Sequence, residues 1–222
     1  MNRRRSILTG ARPFFHKRSF GQKSCPDVAT GPVPFGYKMA WIAVKAEELT
    51  DVVTYLKLQN SRPASWSRGI ELAYERNAKV VFVAPPIEGW VLIVGWSVAS
   101  DAEPVKSFYN TTEKMSSLFS EVQAFASHRV VEYHLWMLAR HGHVVRSFAY
   151  VGDRGELLDN KGTLTETEQK LVFFKEPQER LHPNEKDVMR VAGGWSIDPS
   201  KLTSESGPAE LGVFGRIGFK IE

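Results

Sequence analysis

At 222 residues, 42% hydrophobic and 24% charged, the chain has enough apolar material for a sizeable core without metal or disulfide support. Its single cysteine, Cys25, excludes an intrachain disulfide and fits a reducing, cytoplasmic setting. The longest apolar run, 80–98, is broken by Pro85, Pro86, Glu88 and Gly89, so it falls short of the roughly 20 residues that span a bilayer.

The net charge of +4 is unevenly placed: seven of the 29 basic residues and none of the 25 acidic ones fall within residues 1–25. The remainder is mildly acidic and gives no support for a basic nucleic-acid face on the fold itself. Residues 1–34 therefore read as a basic, flexible N-terminal arm, with Pro13, Pro26, Pro32 and Pro34 opposing one continuous helix. A solvated leader, an electrostatic arm for nucleic acid or an anionic surface, and an Arg-rich transit segment are its three readings. Arg3, Arg4 and Arg5 are followed by no apolar stretch, so a secretory signal is not expected.

Order is expected to begin near Phe35. Residues 37–45 alternate as a first strand, and 47–58 carry Leu49, Val52, Val53 and Leu56 at helical spacing. Residues 60–63 read as a loop, and Ser65 as the cap of a second helix through Ile70 and Ala73. The period then changes: 79–84 and 90–96 are near-continuous apolar runs, as for central strands, joined by a Pro85-to-Gly89 hairpin loop. Residues 112–119 read as a helix and 122–126 as a short strand. Residues 130–140 and 143–151 read as long strands about a His141-Gly142 turn, and 152–155 as the next turn. Capping-box patterns at Thr165/Glu168 and Asn184/Asp187 predict two helices, over 165–171 and 184–191. Beyond Pro199, residues 211–221 offer one edge strand. The order β-α-α-β-β-α-β-β-β-α-α predicts an α+β fold with a mainly antiparallel sheet of about five to seven strands. A single domain over 35–202 and a C-terminal tail over 203–222 complete the reading.

The chemistry-bearing residues form no recognised catalytic motif. Glu132 and His134, two apart on one strand face, are the candidate acid–base pair, and Arg146 is expected to face away from His134. No CxxC, HExxH or GxSxG pattern is present, and no Gly-rich phosphate loop follows a strand, so neither a metal nor a cofactor is expected. Gly193 and Trp195 read as a helix stop and an aromatic plug.

The segments GYKMAWIAVK, VFVAPPIEGWVLIVG, FASHRVVEYHLWMLARHGHVVRSFAYVGDRGE and DVMRVAGGWSIDPSKL resemble a family of uncharacterised bacterial proteins. An EGW-type strand followed by a strand–Gly–strand hairpin with Arg and an aromatic is similar to immunity proteins of polymorphic toxin systems. The resemblance implies no catalytic residues. It implies a non-enzymatic intracellular module that neutralises a toxin or effector protein. Partner contacts are then expected on the loops 85–90, 140–143 and 152–155, through Pro86, Glu88, His141, Asp153 and Arg154. The alternatives are an enzyme built on Glu132 and His134, and nucleic-acid contact through the arm.

Overall fold

A computed structural model describes residues 27–75, 79–99, 103–171 and 182–219. Among them run β1 (Met39–Lys45), α1 (Leu49–Leu56), β2 (Gln59–Ala64), α2 (Trp66–Tyr74), β3 (Val81–Val83) and β4 (Trp90–Val94). These are followed by α3 (Pro104–Ser116), β5 (Glu121–His128), β6 (Tyr133–Arg140), β7 (His143–Val151), β8 (Glu156–Lys161), α4 (Glu185–Trp195) and β9 (Gly212–Arg216). The nine strands make one sheet in the order β2-β9-β3-β4-β1-β5-β6-β7-β8. Every neighbouring pair is antiparallel.

The apolar runs explain the centre. β1, β4 and β6 are buried on both sides, because helices cover both faces of the sheet. On one face, Trp41, Phe82, Phe125, Trp136 and Phe148 pack with Trp66 and Ile70 of α2 and with Val188 and Met189 of α4. On the other, Ile42, Val83, Ile93, Ala124 and Met137 pack with Val52 and Leu56 of α1 and with Phe108 and Met115 of α3. Gly69 in α2 lies so close to the Phe82 ring that a Cβ would collide with it. The two capped helices start where the caps predict: Ser65 Oγ accepts from Arg68 N–H, and Asn184 and Asp187 close a reciprocal box.

Several expectations are corrected. The sheet has nine strands, not five to seven, and the helices interleave with strands differently. Residues 60–63, read as a loop, belong to edge strand β2, whose exposed polar residues give no apolar alternation. Residues 156–161, unassigned by periodicity, form the other edge, β8, for the same reason. The helix expected over 112–119 is α3, starting at Pro104, whose fixed φ and missing N–H suit a first turn. The strand expected from Val130 begins at Tyr133, after a turn in which Glu132 has φ 49°. The tail strand is β9, which lies inside the sheet between β2 and β3, not at its edge. The helix expected over 165–171 shrinks to one 3-10 turn at Glu168–Lys170, because the Glu168 carboxylate is drawn into the core.

Strand directions sort the turns. Lys45 pairs with Trp90, Val44 with Val122, and Arg140 with Glu121, so the turns 85–89 and 141–142 share one end of the sheet. The turn 152–155 lies at the opposite end, beyond the Tyr133–Val151 pair. The basic arm lies largely outside the described residues, as does Cys25.

Candidate functional site

At one end of β6, His134 is 3% exposed, beside Ser127 on β5 and Tyr150 on β7. Ser127 Oγ donates to Glu185 Oε1 at 3.2 Å, from the first turn of α4. With that proton committed, Ser127 Oγ can only accept from His134 Nδ1, 3.5 Å away, which selects the Nδ1–H tautomer. Burial lowers the His134 pKa to about 4, so the ring is neutral at pH 7. Next to it, Tyr150 Oη meets His182 Nδ1 at 2.6 Å with the two rings stacked. Burial, then the Glu132 charge, raises the Tyr150 pKa.

No hydrogen bond joins Glu132 to His134. The left-handed backbone at Glu132 takes its carboxylate to Gly152, where a Cβ would collide with it. The polar partner His134 does have is Ser127 of β5, which in turn donates to Glu185 at the start of α4, and only the capping box of α4 hinted at that helix.

Arg146 stands on the His134 and Trp136 face, opposite Leu138, contrary to the expected register. The physical cause is a bulge: the pairing shifts between Leu138 and Ala139, which leaves Val145 unopposed and turns Arg146 over. Arg146 Nε donates to Glu168 Oε1 at 2.7 Å, with the side chains 1% and 0% exposed. Trp136 Nε1 donates to the same oxygen at 2.7 Å, and Thr165 N–H and Oγ1 both donate to Oε2 at 2.9 Å. Arg146 Nη1 reaches the Ser147 and Lys161 carbonyls and Asn160 Oδ1, at 2.9, 2.8 and 2.8 Å. Each carboxylate oxygen is spoken for by at least two donors, which is what a buried charge requires and leaves no lone pair for chemistry.

The Pro85-to-Gly89 loop is held differently. Pro85 is buried and Pro86 half-buried, and Ile87 and Trp90 exchange both backbone hydrogen bonds at 2.9 Å. Glu88 and Gly89 between them have φ 50° and 76°, the signs of a type I′ turn. Gly89 O accepts from Ala46 N–H at 3.1 Å, which ties the turn to the end of β1. Glu88 is exposed at its tip, and the Glu47 carboxylate and Lys45 ammonium lie close to Gly89. Lys45 Nζ is 4.8 Å above the Trp90 ring.

His141 is exposed on a second left-handed turn, with φ 49°, at the same end as Pro86 and Glu88. Four strand spacings separate the two hairpins, roughly 19 Å at about 4.8 Å per strand. Asp153 and Arg154 are exposed at the other end of the sheet, so the five residues form no single patch. Among the described residues, no group of three His, Cys, Asp or Glu side chains could hold a metal ion. Nor is any helix among them long and apolar enough to cross a membrane. No family model, no curated protein and no solved structure matches the chain.

Proposed function

We propose that the chain is a non-enzymatic protein-binding module of the immunity type, which captures a toxin or effector protein at the Glu88 end of its sheet. The observation that supports this is the Glu88 turn. A charged residue is kept at a left-handed position that Asn, Asp or Gly would fill with less strain, on a loop fixed by two prolines and a closed pair of backbone bonds. A loop fixed in this way loses little entropy on docking. The exposed Glu88 at the tip suits a basic group on the partner, and such charges act mainly on association rate and salt sensitivity. Catalysis by Glu132 and His134 has no comparable support, because no hydrogen bond joins the two groups.

The test is a parallel capture from the native host with tagged wild type, Glu88→Lys and Asp153→Lys. A stoichiometric partner that is toxic when expressed alone, bound by wild type and Asp153→Lys but lost by Glu88→Lys, is the expected result. Loss with Asp153→Lys alone would move the interface to the opposite end of the sheet. Absence of any partner from the wild-type sample would overturn the proposal.

A further inference from the structure

The two edges of the sheet are built differently. β2 carries Pro63, which has no N–H to offer, and a register break where Asn60 has φ 51°. Both features discourage an added strand. β8 has no proline, and its Leu157 and Leu158 are 55% and 39% exposed. No strand among the described residues pairs with its outer side.

The direction of the β8 backbone follows from its neighbours. Gly152 N–H donates to Glu132 O, so by antiparallel alternation Tyr150 and Phe148 turn their peptide groups toward β6. Val151, Ala149 and Ser147 then face β8, and their partners Glu156, Asp159 and Lys161 bond inward. Leu157 and Asn160 are left with outward N–H and C=O groups. The register shift on β8 places two residues between them, Leu158 and Asp159, where a regular strand would have one.

A regular strand cannot match both outward sites. A second β8 can, because it carries the same spacing. Run antiparallel about a two-fold axis, Leu157 falls opposite Asn160 of the second copy and Asn160 opposite its Leu157. Glu156 then falls opposite Lys161 of the second copy, and Lys161 opposite its Glu156, all on the face where Lys161 lies over Tyr109 of α3. The strand Glu-Leu-Leu-Asp-Asn-Lys is thus complementary to itself in both hydrogen-bond spacing and terminal charge.

We infer that β8 is a self-association edge, through which two copies of this chain join their nine-stranded sheets into one, with isologous symmetry. Two six-residue strands bury less than the ~1,200–2,000 Å² of a standard interface, so the dimer forms at micromolar protein concentrations and weakens with salt. The inference is independent of partner capture, and Glu88→Lys should leave self-association unchanged.

Sedimentation of the full chain across the micromolar range tests it. Wild type is expected to show a reversible monomer–dimer equilibrium. Glu156→Lys and Lys161→Glu each set like charges opposite one another twice per dimer and should each weaken association about tenfold or more. An equimolar mixture of the two variants restores opposite charges at both positions and should associate like wild type, as should the double exchange. A wild type that stays monomeric throughout, single variants that associate as well as wild type, or a mixture no better than its components would overturn the inference.

Discussion

Burial holds His134 at a pKa of about 4 against about 6.5 in an unfolded chain, so the native state resists its protonation. A histidine with a depressed folded pKa contributes no penalty above the unfolded value. Stability is lost as pH falls from about 6.5 and the loss levels off below about 4. By this linkage His134 should cost about 2 kcal/mol at pH 5 and at most about 3 kcal/mol at lower pH. Urea titrations of wild type and His134→Gln at pH 7 and pH 5 measure it: the variant should lose that share of the acid destabilisation, and an unchanged difference would refute the assignment. Arg146 and Glu168 set another kind of constraint, since they form a buried ion pair in which each depends on the other. Arg146→Met should cost about 3–5 kcal/mol by leaving a buried carboxylate uncompensated. Pairing it with Glu168→Leu should recover a substantial part of that loss, read as coupling in a double-mutant cycle by urea denaturation.

Turns and strands show where a sequence speaks plainly. The stability of the Glu88-Gly89 turn can be separated from the proposed capture of a partner: Glu88→Asn relieves a left-handed Glu and should raise stability by about 0.5–1 kcal/mol while weakening any such capture. A Tm rise without loss of binding would mean that the acidic tip is not the contact. The central strands were legible because burial on both faces demands long apolar runs, as in β4 and β6, and the α2 and α4 caps because a cap is a local bond. Edge strands β2 and β8 were not legible, since an exposed polar strand obeys no hydrophobic period. Arg146 failed for another reason. One extra residue, Val145, inverts the facing of everything after it, and nothing in the local composition marks the insertion. Glu168 carried a visible Thr165 box, yet the box is satisfied by a single turn whose real anchor is a guanidinium 22 residues upstream. The acid–base pair suggested for Glu132 and His134 rested on strand alternation that the left-handed residue interrupts.

Across the whole molecule, all-antiparallel pairing with helices on both faces lets one thin sheet separate two apolar layers. The arrangement depends on β9, which pairs with β2 on one side and β3 on the other. Deleting residues 203–222 should therefore do more than trim a tail. It should detach β2, uncover Phe82 beside Gly212, and abolish the cooperative urea transition, which circular dichroism would follow. Retention of a wild-type transition would show that the sheet closes without its last strand.

The position of β9 also bears on how the protein is made. As a nascent chain leaves a ribosome, β2 and β3 emerge well before β9, so they wait through the synthesis of β4 to β8 for the strand that lies between them. Pairing across so long a stretch of sequence is slow relative to the local hairpins β5-β6 and β6-β7. Emergence of β9, not synthesis of the central strands, completes the sheet, and a chain stalled before β9 would offer the open sides of β2 and β3 to its neighbours on the same message.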